Sequence, residues 1–180
     1  MKKTILFIAL SILTGTLFAQ KKTTTSATVT FDATTEKDAQ PKAENKAVIG
    51  SFDTKTGAVA FEAAVKNFSF GNPKMQEHFN GTNWMNSDSF PKFTFRGQIE
   101  KVNKLKLTKT GTYTLKVNGD LKIKDISKKI RIEAVFKVAN SKVTVSSAFT
   151  VKLADYNITG QPVDAGKVSK EPKVTVSAEF

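Results

Sequence analysis

The chain has no cysteine, one histidine (His78) and one tryptophan (Trp84), and only two of its 28 cationic side chains, Arg96 and Arg131, are arginine. The missing cysteine excludes a disulfide scaffold, an iron–sulfur centre, a Cys-ligated zinc site and a thiol nucleophile. It also argues against a lipoprotein anchor, which needs a cysteine at its processing site. A lone histidine excludes multi-His metal centres and leaves His-based triads without support; set beside Glu77 or Asp88 it makes a poor ligand set, and a helix-packing or rim position suits it better. Scarce arginine removes the planar fork that reads bases and phosphates, so nucleic acid is not an expected partner. No apolar run approaches the ~20 residues that span a bilayer as a helix.

What is present is 180 residues, 14 of them phenylalanine, with 39% apolar side chains and a net charge of +12. That is enough chain for one domain with a real core and too little for two. The first nineteen residues have the three parts of a secretory signal: Lys2 and Lys3, an apolar run Ile5–Leu13 broken only by Ser11, and Leu17-Phe18-Ala19 before Gln20. Cleavage after Ala19 removes Lys2 and Lys3 and takes the charge from +12 to +10. The expected location is therefore periplasmic or secreted. We divide the rest into 20–50, a polar leader and first strand, and 51–180, the main domain. Gln20–Ser26 reads as a loose leader.

From Ala27 onward the sequence alternates apolar and polar, the period that puts one set of side chains on each face of a strand. Phe61 and Val65 share a parity. So do Phe93 and Phe95, then Tyr113, Leu115 and Val117, then Ile132 and Phe136, then Val145 and Phe149. Turn signals at Asp53–Gly57, Thr108–Gly111 and Ala139–Ser141 imply short connections and antiparallel neighbours. The expected fold is all-β, a single antiparallel barrel of roughly eight strands with one short helix. The helix is read at Asn72–Met85: Asn72 as N-cap, Pro73 in the first turn, Gly81 as stop. It carries Met75 and leads to Trp84, which either gate the barrel mouth or seal the helix against its end. The inward apolar set has two readings, the wall of a lipid pocket or a filled core. Small inward residues (Ala63, Gly97, Gly119, Ala134, Ser147) favour the pocket by leaving volume. The acids Glu62, Glu100, Asp120 and Glu133 fall on the outward parity, serines lack a visible base and there is no Gly-rich phosphate loop. Neither an enzyme nor a cofactor is expected. Lysines such as Lys122, Lys124, Lys128 and Lys129 are candidates for peripheral contact with an anionic membrane surface.

Three stretches carry a resemblance. They are Met75–Phe79 with Trp84–Ser87 and Ser89–Gly97, the hairpin segment Val117–Ile130, and Phe149–Ile158 with its Asp155-Tyr156. Together they resemble the YceI-like, lipocalin-like, polyisoprenoid-binding family, from about Ser51 to Phe180. The resemblance implies an exported eight-stranded antiparallel barrel with a short helix, and an isoprenoid (quinone, polyprenyl phosphate or similar) or another lipid held in an apolar channel. The candidate binding set is the inward-parity residues Phe61, Val65, Phe93, Phe95, Tyr113, Leu115, Val117, Ile132, Phe136, Val145 and Phe149, with Met75 and Trp84 from the helix segment, and the resemblance favours reading them as the wall of a pocket. Two departures stand out: Lys124-Asp125 replaces the histidine and glycine usual in the hairpin, and 21–50 is poorly matched. The competing class is a structural or stress-related envelope protein with a filled barrel.

Overall fold

The structure, a computed structural model, describes residues 21–180; the signal segment expected at 1–19 lies outside the described residues. The strands are β1 (Lys21–Asp32), β2 (Lys42–Asp53), β3 (Ala58–Ala64), β4 (Ser69–Phe70), β5 (Lys92–Ile99), β6 (Gly111–Ile123), β7 (Ile126–Ala139), β8 (Lys142–Thr150) and β9 (Lys173–Glu179). Two helices, α1 (Pro73–Asn80) and α2 (Gln161–Asp164), lie in connections. Every pairing is antiparallel. The order β1-β9-β8-β7-β6-β5-β3-β2 closes on itself because β1 also pairs with β2, and the two-residue β4 hangs on β2. The result is a closed barrel of eight strands, as the alternation predicts. Closure gives every barrel strand a neighbour on each side, which shortens the unpaired edge that otherwise invites aggregation to stretches such as 21–27 of β1 and 126–133 of β7.

The N-terminal part differs from its sequence reading. Lys21–Ser26 is the first half of β1, and Lys42–Asp53 is a second twelve-residue strand. Their Thr- and Lys-rich stretches have little apolar alternation of their own. Pairing supplies what local pattern does not: β2 holds Lys21–Thr24, and from Thr28 to Asp32 the strand is held by β2 and β9 together.

The registers sort the connections between two ends. At one end lie the turn 54–57, the loop 100–110, the turn 140–141 and the terminal Phe180. The other end carries the loop 33–41, the long segment 65–91 with α1, the turn 124–125 and the connection 151–172 with α2. Helix α1 starts where the capping signals place it: Asn72 Oδ1 accepts from the Lys74 amide at 3.0 Å, and Pro73 occupies the first turn. Phe79 on its inner side enters a ring cluster with Phe31, Phe68 and Phe70, with centroid distances from 4.9 to 6.1 Å. Such pairs add about 0.5–1.5 kcal/mol each beyond area burial. This cluster fixes α1 over its end of the barrel.

On the outer wall Glu62, Asp120, Glu100 and Glu179 pair across strands with Lys92, Lys129, Arg131 and Lys142. The best-formed pair is Glu100, whose carboxylate accepts from Arg131 Nε at 2.7 Å and Nη2 at 2.9 Å and from Asn118 Nδ2 at 2.7 Å. The Arg131 hydrogen bonds, then that from Asn118, hold its pKa at about 2 against the usual 4.5. A depressed acid stabilises the fold above its unfolded pKa and loses that contribution as pH falls through its folded one. Glu100→Gln is therefore expected to be less stable than the parent at neutral pH. Its thermal midpoint should also fall less steeply between about pH 4.5 and pH 2, as read from unfolding curves at stepped pH. Parallel acid limbs for the two proteins would contradict this.

Candidate binding cavity

Inward-facing side chains fill the two halves of the barrel differently. Around the end that carries the loop 100–110, Phe52, Ile99, Leu105, Leu115, Phe136, Val138 and Val143 form one fully buried cluster, backed by Tyr113 and the terminal Phe180. Phe52 is 0% exposed and Val143 1%. Phe180 stacks edge-on to Phe52 and Phe61 at 6.1 and 6.3 Å and exchanges backbone hydrogen bonds with Val143. This half is packed solid, and we call it the closed end.

Toward α1 the same parity behaves otherwise. Val29, Phe31, Phe61, Leu121, Ile132, Phe149, Val174 and Val176 all line the interior, yet none reaches full burial. They border empty space: a cavity of about 190 Å³. Its roof is built from Phe68, Phe79, Trp84 and Met85 near α1 and from Val151, Leu153, Ile158, Val168 and Pro172 in the 151–172 connection. That connection is strapped to the loop 33–41 by three hydrogen bonds: Ser169 amide to the Ala33 carbonyl (2.8 Å), Thr35 hydroxyl to the Gly166 carbonyl (2.8 Å) and Lys37 Nζ to the Ala165 carbonyl (3.1 Å). Beside it Tyr156 is buried, and burial followed by the Asp155 charge pushes its phenol up to about 12, so it stays neutral.

The wall is almost wholly apolar. Among its lining residues only Thr94 and Ser147 carry polar side chains. The Ser147 hydroxyl is spent within the wall, donating to the Glu133 carbonyl at 2.6 Å. An apolar cavity of ~150 Å³ stays dry and accepts a small aromatic guest. This one is lined for a hydrocarbon of that size or somewhat larger, and it offers a ligand's polar atoms little to replace water.

Of the residues chosen from sequence, Phe61, Trp84, Phe93, Phe95, Val117, Ile132, Phe136, Val145 and Phe149 line the cavity. Four do not. Tyr113 and Leu115 lie in the closed end, where the Tyr113 hydroxyl donates to the carbonyls of Lys106 and Lys109 at 3.3 and 3.1 Å. Val65, fully buried, sits in a 3₁₀ turn after β3 and packs behind the wall. Met75 is half-buried on α1 and does not reach the cavity. Parity gives the face of a strand but not the height along it, and height separates floor from wall. The residues that sequence reasoning missed come from β1, β2, β9 and the covering segments, with Val59 on β3 and Leu121 and Ile123 on β6. Phe31, Phe68 and Val174 had visible alternation; Pro172 and Val168 had no periodic signal.

Glycine serves a different purpose from the one the sequence suggests. A Cβ on Gly119 would lie 2.5 Å from Phe95 Cζ, and one on Gly97 2.7 Å from the same atom. A Cβ on Gly50 would lie 2.8 Å from Phe61 Cε1. The space these glycines vacate is taken by phenylalanine rings lying flat on the wall, so it adds nothing to the hollow directly. Gly119→Ala is expected to destabilise the fold by about 1–3 kcal/mol, read from thermal or denaturant unfolding. Phe95→Leu in the same chain should recover only part of that loss, because the Arg96 carbonyl would still lie 2.6 Å from the new methyl. Full recovery would show that the ring alone sets the constraint.

The lysines singled out from sequence are partly engaged. Lys124, which holds a left-handed backbone conformation at φ 56° in the turn between β6 and β7, donates from Nζ to the Trp84 carbonyl at 3.2 Å and lies 5.6 Å above the Phe90 ring. A non-glycine residue there costs on the order of 1–2 kcal/mol, and these two contacts offset it while pinning Trp84 at the roof. Lys129 pairs with Asp120. Among the described residues there is no group of three or more His, Asp or Glu placed to hold a metal ion.

A closed antiparallel barrel of eight strands, roofed by a short helix over an apolar hollow, defines a barrel of lipocalin type. The sequence matches the family model of the YceI-like domain over residues 10–180, and the chain belongs to that family. The match includes β1 and β2, where the sequence motifs are weakest. No curated protein matches the chain. Among solved structures, BcnA of Burkholderia cenocepacia superposes with a TM-score of 0.72 at 17% identity, covering 86% of this chain and 96% of its own. A polyisoprenoid binding domain from Saccharophagus degradans, implicated in plant cell wall breakdown, gives a TM-score of 0.75 at 10% identity, covering 89% and 97%. The YceI protein of Campylobacter jejuni gives 0.59 at 16% identity, covering 74% and 79%. At these identities the likeness is one of fold.

Proposed function

We propose that this protein binds the hydrocarbon part of an apolar or amphiphilic lipid, of the isoprenoid class, and carries or stores it outside the cytoplasm, in the periplasm or beyond. The observation that carries this reading is the chemistry of the cavity wall, which is almost wholly apolar and has its Ser147 hydroxyl already committed. Such a wall rewards burial of CH₂ and CH₃ groups and penalises any polar atom brought inside. A quinone ring, phosphate or hydroxyl head therefore stays at the cavity end and the tail enters first. One isoprene unit hides about five carbons, worth at most ~4 kcal/mol at the usual value per buried CH₂; ordering and association return much of that. Affinity of this kind depends on how much chain is buried and is indifferent to the head, which suits a carrier. The signal-like 1–19 supports the location. The relative named for binding polyisoprenoids supports the ligand class.

The test is lipid extraction and mass spectrometry of the purified native protein, with uptake of added polyprenol followed by quenching of Trp84 at the roof. Phe149→Asp, which puts a charge on the wall, and Val174→Trp, which fills the hollow, should each lower uptake at least tenfold while circular dichroism remains that of the parent. A clean extract together with no uptake of polyprenol, quinone or fatty acid would overturn the reading in favour of a structural barrel.

A further inference from the structure

The cationic excess is unevenly placed, and it favours the end opposite the cavity. The loop 100–110 carries Lys101, Lys104, Lys106 and Lys109, all exposed, and none forms an ion pair among the described residues. It is a built surface. Leu105 is buried in the closed-end cluster and Val102 and Leu107 pack beside it, so the lysines between them are turned outward. Tyr113 holds the carbonyls of Lys106 and Lys109, and the amides of Lys104 and Lys109 bond back to Lys101 and Lys106. The turn carrying exposed Lys55 leans on the same loop: the Gln98 side chain donates to the Thr56 carbonyl, the Ile99 amide donates to the Gly57 carbonyl, and a Cβ on Gly57 would meet Val102. The nearby acids are occupied. Asp53 accepts from the amides of Lys55 and Thr56, Glu100 holds Arg131, and Glu179 holds Lys142. At the cavity end, by contrast, lysines alternate with Glu36, Asp38, Asp125, Asp155, Asp164 and Glu171 along the covering segments.

We propose that the closed end is a docking face for an anionic lipid bilayer. The lysines are spread over a rigid end instead of converging on a point, so they fit a plane of smeared negative charge better than one bound anion. They are strongly hydrated ammonium groups without arginine forks or interleaved exposed aromatics, which is the wrong equipment for nucleic acid. The loop is ordered beforehand by its leucines and Tyr113, so little is lost in fixing it on contact. Near an anionic surface each lysine raises partitioning about fivefold, several hundredfold for four together. This face owes nothing to what the cavity holds.

The experiment is co-sedimentation of the protein with vesicles of phosphatidylglycerol and phosphatidylcholine in equal parts, against vesicles of phosphatidylcholine alone. The parent is compared with K101Q/K104Q/K106Q/K109Q and with K122Q/K128Q/K152Q/K170Q, which removes the same charge from the cavity end. All eight lysines are exposed, so both variants should keep the parent's circular dichroism and thermal midpoint. The closed-end variant should lose binding to the anionic vesicles a hundredfold or more and the cavity-end variant less than tenfold. Neither should bind phosphatidylcholine, and about 1 M salt should release the parent, because the screening length then falls to ~3 Å. Equal losses in the two variants would overturn the proposal, since net charge alone would then be responsible. So would a parent that ignores anionic vesicles, including one that binds duplex DNA through the same four lysines. Uptake of polyprenol is unaffected in every case, which keeps this test separate from that of the cavity.

Discussion

The constraint on which the rest depends is closure of the sheet. Because β1 pairs with both β2 and β9, every barrel strand has a hydrogen-bonded neighbour on each side, and most of the sheet's backbone groups are satisfied within the sheet. The outer wall can then be given over to lysine, and the interior becomes a fixed volume whose filling is decided by side chains alone. One half is filled to the density of an ordinary core. The other is left with about 190 Å³ open. An unfilled apolar space forfeits dispersion contacts, at a cost on the order of a few kcal/mol. The solid half and the Phe31, Phe68, Phe70 and Phe79 cluster carry that cost, and a bound hydrocarbon would return part of it.

Ring placement is how the interior is divided. Phe95 and Phe61 lie down over Gly97, Gly119 and Gly50 instead of standing into the barrel. A standing ring at either position would cross the hollow. The glycines thus widen the hollow at second hand, by giving the rings somewhere else to be. A substitution in the wall strands is therefore felt in the cavity through a phenylalanine, although the substituted residue contributes no lining atom of its own.

Fold class, strand parity and α1 with its Asn72 cap were legible because each rests on a local signal: period-two alternation, turn residues, a capping side chain. The outward placement of Glu62, Glu100 and Asp120 followed from the same parity. What stayed hidden was non-local. Lys21–Ser26 forms a strand because β2 pairs with it from Lys21 to Thr24, a contact that lies far away in sequence. Tyr113 and Leu115 share the parity of Val117 but stand lower, among the residues of the floor. Pro172, Val168 and Ile158 enter the roof only because the 151–172 connection is strapped to the loop 33–41 by hydrogen bonds that no spacing announces.

Separating a solid, lysine-tipped end from a hollow, charge-balanced end gives the molecule a direction. Loops cannot at once be stiff enough to present fixed charges and loose enough to admit a lipid. The loop 100–110 is stiff because Leu105 is sunk in the floor. The covering segments 65–91 and 151–172 are held instead by the Phe31, Phe68, Phe70 and Phe79 cluster and by the hydrogen bonds to the loop 33–41, and between these anchors they span the hollow. With the closed end against a bilayer, the cover faces away from that bilayer. If both proposals hold, the docked surface would be an anchor, and the lipid would exchange on the side of the molecule away from that bilayer.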